Sequence, residues 1–355
     1  MNASLLYDMV SALVNQTPLE QRLRRVLRDF VLGTLVSGSC LLEDVAQALT
    51  PLGQKDSQYR RLQRFLANER VDLGPLQCQW TRTLIQAMRP TRLILLVDET
   101  ALSDHLKSMV LGIWTPGGCV PVAWRSYHAQ HYPACGQVGV IVALLDRVLP
   151  AFPVPLPLVL LADRGIGTSS DLIRQVDQCG LELLFRVQSS SRFRYPDGRT
   201  VALADLGIPG AVWQSVGDVF KKAGWLPLTA SVAWGNGYDL PWCLVSTRPL
   251  DPALYRRRFD QEVSFRDLKS DGFQWQRSHV WLPDHADRLL LVLAMTYWLV
   301  LAVGQALPPP DTARASRYSL FHRGLMACRE WFRPTIAALL PPPPIPPPRI
   351  SCVVQ

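Results

Sequence analysis

Residues 92–100 read RLILLVDET, an apolar, β-rich run from Leu93 to Val97 that ends at Asp98. Residues 158–168 read LVLLADRGIGT, a second run from Leu158 to Ala162 that leads into Asp163 and a glycine-containing turn. Short continuous apolar runs bounded by turn signals have the pattern of buried strands. Acids at the ends of such strands gather at one rim of an α/β sheet, where open sheets place their sites. The two runs therefore point to an α/β fold with two carboxylates side by side.

The surrounding segments extend this sheet. Ser108 to Trp114 and Val120 to Tyr127 read as strands forming an antiparallel meander with Leu93 to Val97, the last two joined by the turn Thr115-Pro116-Gly117-Gly118. Gln137 to Leu149 and Asp171 to Gln178 read as helices, and Leu183 to Val187 as a further strand. The expected result is a mixed sheet flanked by helices, with Asp98 and Asp163 on adjacent strands.

A third acid comes from residues 251–272, DPALYRRRFDQEVSFRDLKSDG. Tyr255, Arg258, Glu262 and Lys269 have the spacing Y-x2-R-x3-E-x6-K. On a continuous helix they fall within roughly 60° of one another, on one stripe. A carboxylate displayed with two cations and a phenol suits a group that holds a metal beside a phosphate. Asp98, Asp163 and Glu262 together offer the oxygen ligands that Mg²⁺ prefers. Two such ions about 4 Å apart can activate a water or a 3′-hydroxyl and stabilise the leaving oxygen of an in-line displacement. Nearby Glu99, Asp104, Asp260, Asp267 and Asp271 lack the combination of strand-end placement and register.

With these residues in this order, the chain resembles the DDE transposases of the insertion sequence 4 family, whose signature is the same tyrosine, arginine, glutamate, lysine spacing. The resemblance spans roughly residues 20 to 330, with specific residues only at the three acid motifs. It implies a ribonuclease H-like catalytic core carrying a mainly β insertion between Asp163 and Glu262. It implies that Asp98 bridges two Mg²⁺ ions, with Mn²⁺ able to substitute, while Asp163 and Glu262 each complete one. Arg258 and Lys269 would hold the DNA phosphate, with Tyr255 bonding to it or packing beside it. The implied activity is cleavage and strand transfer at the ends of a bacterial mobile element. The implied partners are double-stranded DNA and a second copy of the chain in the DNA complex.

At 355 residues the chain is long enough for two or three compact units. Its net charge of +8 favours polyanionic partners without identifying DNA. Eight dispersed cysteines suggest a reducing cytoplasm, and no CxxC or HExxH spacing points to zinc. No GxSxG, GxGxxG or Walker-type loop occurs, so neither ATP nor a nicotinamide cofactor is expected. Leu289 to Val303 is nearly all apolar but shorter than the roughly 20 residues that span a bilayer, which reads as a buried helix and not a membrane segment.

Residues 1–90 read as a helical, DNA-binding unit. Within SQYRRLQRFLAN, Tyr59, Leu62, Phe65 and Leu66 share an apolar face while Arg60, Arg61 and Arg64 point elsewhere, available to phosphates or base edges. Asp56 or Ser57 can cap this helix. The catalytic core takes residues 91–188 and 250–307, and residues 189–249 read as the β-rich insertion, with hairpin signals at Asp197-Gly198 and at GNGYD. Arg192, Arg194, Arg199, Lys221 and Lys222 could line a DNA groove there, and Trp213, Trp225, Trp234 or Trp242 could stack on an unpaired base. Residues 308–340 read as a C-terminal helical region and 341–355 as a proline-rich, extended tail. Two alternatives use the same residues: a ribonuclease H-like nuclease without strand transfer, and an inert DNA-binding relic.

Overall fold

The computed structural model of the chain describes residues 3–235, 239–308 and 318–332. Five helices open it: α1 (Ala3–Asn15), α2 (Gln21–Ser37), α3 (Leu42–Ala48), α4 (Lys55–Leu66) and α5 (Leu73–Met88). Gly38 ends α2 in the left-handed conformation, at φ 66°, and returns its N–H to the carbonyl of Thr34. Asp72 caps α5 by accepting the N–H of Gly74. The expected cap of α4 is absent, because the helix begins one residue before Asp56 and Gln54 precedes it without a side-chain bond.

The meander follows as β1 (Leu93–Ala101), β2 (Leu106–Thr115) and β3 (Gly118–His128). Helix α6 (Gly136–Val148) then leads to β4 (Leu158–Ala162), and the one-turn α7 (Arg164–Gly167) and α8 (Ser170–Gln178) lead to β5 (Glu182–Arg186). Next come β6 (Arg192–Arg194), β7 (Thr200–Ala202), β8 (Val212–Val219), β9 (Leu226–Ala233) and β10 (Trp242–Ser246). Among the described residues, ten strands form one open sheet in the order β3-β2-β1-β4-β5-β10-β9-β8-β6-β7, in which only β1–β4 and β4–β5 are parallel. The fold is thus mixed α/β with a mostly antiparallel sheet. The segment between β5 and the third acid is mainly β, and it continues the central sheet, because β10 pairs directly with β5.

Three helices follow among the described residues: α9 (Phe259–Lys269), α10 (Pro283–Ala306) and α11 (Leu320–Phe332). Helix α10 is apolar all round, and 78% of its most apolar window is buried inside the protein, which is the pattern of a central core helix. It packs on β3, α2 and α11. The crossing with α11 is close, since a Cβ on Gly324 would lie 1.9 Å from the carbonyl oxygen of Val300. The proline-rich tail and the centre of the GNGYD hairpin signal, residues 236–238, lie outside the described residues.

Strand alternation sets the site. Leu93, Leu95 and Val97 enter the main core, while Ile94 and Leu96 join a second cluster with Leu161, Leu244 and Tyr255. Because side chains alternate at a period of two, Asp98 belongs to the face of Ile94 and Leu96, and Asp163 to that of Val159 and Leu161. Asp98 is not a strand terminus as expected: β1 runs on to Ala101, still paired with β2. Its parallel partner β4 stops opposite Val97, and this leaves Asp98 uncovered on that side.

Candidate functional site

Asp163 directly follows β4 and caps α7, its Oδ1 accepting the Ile166 N–H at 3.0 Å. Its other oxygen faces the site. The third acid arrives on a different local structure from the single helix expected. Residues Pro252–Arg258 form a 3₁₀ segment opened by Pro252, and α9 begins only at Phe259. Tyr255 and Arg258 therefore sit on the tighter turn, and Glu262 and Lys269 on the helix.

Polar contacts pin the start of α9 to the meander. Gln261, 1% exposed, donates from Nε2 to the carbonyls of Val110 at 3.1 Å and Leu96 at 3.5 Å. Val110 is the cross-strand partner of Asp98, so this amide fixes the neighbouring Glu262 relative to Asp98. Asp260 accepts the indole N–H of Trp114 at 2.6 Å. Ser264 accepts the Cys119 N–H at 2.7 Å and the Tyr297 hydroxyl at 2.9 Å. Gly118 leaves room for this junction, because a Cβ there would meet the Tyr297 hydroxyl at 2.3 Å. Nothing in the sequence marks Gln261, Asp260 or Ser264 as such supports.

The three acids converge on one guanidinium. Arg258 donates from Nη2 to Asp98 Oδ2 at 2.8 Å, lies 3.7 Å from Asp163 Oδ2, and pairs through Nη1 with Glu262. Its side chain is 6% exposed, against 16% for Asp98, 36% for Asp163 and 51% for Glu262. The cluster is therefore closed behind Arg258 and open on the side of Asp163 and Glu262. Burial pushes the Asp98 carboxyl up to about 6, with Arg258 pulling it down and Asp163 and Glu262 pushing it further up. Burial opposes the Arg258 charge, yet Asp98, Tyr255, Glu262 and Asp163 hold its pKa above the usual arginine value.

Lys269 donates to the carbonyl of Ala101 at 3.2 Å, and burial lowers its pKa against the pull of Asp98. Tyr255 is 1% exposed, its ring packed 5.3 Å from Trp242 and 6.3 Å from Phe259. The rival acids have other partners: Glu99 holds Lys107 and Tyr127, Asp260 holds Trp114, and buried Asp267 meets Tyr297.

Among the described residues, no three His, Cys, Asp or Glu side chains stand close enough to hold a metal as they lie, and Arg258 sits between Asp98, Asp163 and Glu262. The donor set nevertheless fits a hard divalent cation. All donors are carboxylate oxygens, and three carboxylates around one guanidinium leave negative charge in excess.

The structure also sorts the other candidates. Arg61 turns inward to Asp29 at 2.5 Å, so it is not a free outward cation as expected, whereas Arg60 and Arg64 are exposed. Arg64 lines a concavity of about 440 Å³ between α2 and α4 together with Arg22, Arg25, Arg61 and Arg70, a basic cleft missed by reading α4 alone. Of the insertion's tryptophans, Trp213 packs on Phe193, and Trp225 lies under Arg194, which is itself paired with Asp218. Trp234 and Trp242 line a cavity of about 240 Å³ beside Pro252 and Arg256.

Compared with protein-family models and with curated proteins, the chain matches none.

Proposed function

We propose that the protein is a DDE-type DNA transposase of a bacterial insertion sequence, binding double-stranded transposon ends and catalysing cleavage and strand transfer. The observation that carries this reading is the convergence of Asp98, Asp163 and Glu262, from β1, the end of β4 and α9, around Arg258. The strand order β3-β2-β1-β4-β5, with the first two acids on the adjacent β1 and β4, supports a ribonuclease H-like core. The mainly β segment between Asp163 and Glu262 supports the insertion expected of such enzymes.

Asp98, Asp163 and Glu262 would hold Mg²⁺, as two ions, with Mn²⁺ able to substitute. When bound, Mg²⁺ supplies Lewis acidity toward phosphate oxygens and activation of a water or 3′-hydroxyl. Arg258 presents a planar fork suited to a phosphate and offsets charge that develops on it. Lys269 adds a second cation at the edge of Asp98. Tyr255 acts by packing: its ring rests against Trp242 and Phe259 and so steadies the 3₁₀ turn that carries Arg258. The cleft lined by Arg22, Arg25, Arg64 and Arg70, with exposed Arg60 beyond it, holds backbone phosphates of the duplex. A pair of copies on paired ends, in the bacterial cytoplasm, completes the proposal.

The test is purified full-length protein with DNA carrying the element's ends and Mg²⁺. Joined products support a transposase, cleavage without joining supports a nuclease, and binding without either supports an inert relic. Asp98→Asn, Asp163→Asn and Glu262→Gln should each abolish chemistry while duplex binding persists.

A further inference from the structure

We propose that Arg258 couples occupation of the acid cluster by a divalent cation to the arrival of a DNA phosphate, a regulatory role that rests on the reading of the site given above. Arg258 engages Asp98 Oδ2 and Glu262 Oε1, and approaches Asp163 Oδ2. These are the acids that a divalent cation would bind, and two positive groups on the same oxygens repel each other. Cation entry therefore requires Arg258 to give up part of its carboxylate contacts.

Arg258 cannot do so freely. Its side chain is 6% exposed, and its Nε already lacks a partner. A buried guanidinium stripped of its anion is strongly unfavourable. A DNA phosphate supplies the replacement, because it accepts the same bidentate fork. Neighbouring cations are otherwise engaged: Arg257 stacks 4.2 Å above Trp114, and Lys269 donates to Ala101. Arg258 stands at the junction where the 3₁₀ segment meets α9. Each ligand thus removes the obstacle to the other, and by linkage the effect is reciprocal. The cation is held well only when DNA is in place.

The probe is Mn²⁺, followed by the paramagnetic resonance of the free ion, with full-length protein alone and with a short blunt duplex. The duplex's own Mn²⁺ uptake is subtracted. The duplex should tighten Mn²⁺ binding on the order of ten-fold, and Mn²⁺ should tighten duplex binding by the same factor. Arg258→Gln should bind Mn²⁺ more tightly than wild type without DNA, and the duplex should no longer change that affinity. A role confined to phosphate contact would leave Mn²⁺ binding without DNA unchanged, and a structural role would weaken it; either result overturns the proposal. Arg258→Lys keeps the charge, but one ammonium cannot span three acids, so its Mn²⁺ affinity should be intermediate. If circular dichroism shows Arg258→Gln unfolded, the lysine variant and the wild-type duplex titration decide. Mn²⁺ binding without linkage sinks the coupling alone, whereas no Mn²⁺ binding by any form sinks the metal reading with it.

Discussion

Replacing Asp98 by Asn should make the protein more stable at pH 8 while abolishing its chemistry. Burial holds this carboxyl at about 6 in place of the ordinary 3.8, even with Arg258 beside it. Ionising it in the folded protein thus costs about 3 kcal/mol more than in the unfolded chain. The folded pKa lies above the unfolded one. The protonated group therefore favours the fold fully below about 3.8, and that contribution is lost as pH rises through about 6. Asparagine keeps the shape and an acceptor for Arg258, but it turns a charge-assisted bond of 2.8 Å into a weaker neutral one. The value of about 6 already includes that attraction, so the relieved ionisation leaves a net gain of up to about 3 kcal/mol at pH 8, or a rise of several degrees in Tm. Urea and thermal unfolding in EDTA, from pH 8 down to pH 4, would measure it. The gap between variant and wild type should shrink as pH falls through 6. A variant less stable than wild type at pH 8, or a gap that does not change with pH, would refute the reasoning.

Asp287 is a second buried carboxyl, raised to about 7 by burial although Ser126 bonds to it. Its contribution to stability is full below about 3.8 and lost as pH rises through about 7, so Asp287→Asn should flatten the decline in urea midpoint between pH 5 and pH 8. Gly118→Ala places a methyl against the Tyr297 hydroxyl and Ser264, and should destabilise the fold by about 1–3 kcal/mol while weakening Mn²⁺ affinity through a displaced α9. Calorimetric unfolding and metal titration would check the pair of effects. Combined Arg22→Ala, Arg25→Ala and Arg64→Ala should reduce the slope of log affinity against log salt by about 0.9 per lost phosphate contact, leaving Mn²⁺ binding without DNA unchanged.

Sequence by itself determined the elements and two of the three acids' surroundings. The runs ending near Asp98 and Asp163 specified adjacent buried strands because apolar content and turn residues act locally. The all-apolar stretch around Leu289 to Val303 specified a buried helix for the same reason. The register of Tyr255, Arg258, Glu262 and Lys269 marked the segment that meets Asp98 and Asp163 but not its shape, since a proline-led 3₁₀ turn changes the angle per residue.

Only tertiary structure decided what depends on distant partners. Arg61 turns to Asp29 across 32 positions, and Gln261 reaches Val110 across 151, separations at which no local pattern operates. Trp242 and Trp234 line a cavity while Trp213 and Trp225 pack, because the paths of β8, β9 and β10 bring different neighbours to chemically identical rings. Arg258 at the centre of the acids is the same kind of outcome: Asp98 lies 160 positions away, and long-range electrostatic complementarity is set by the packed sheet and not by spacing along the chain.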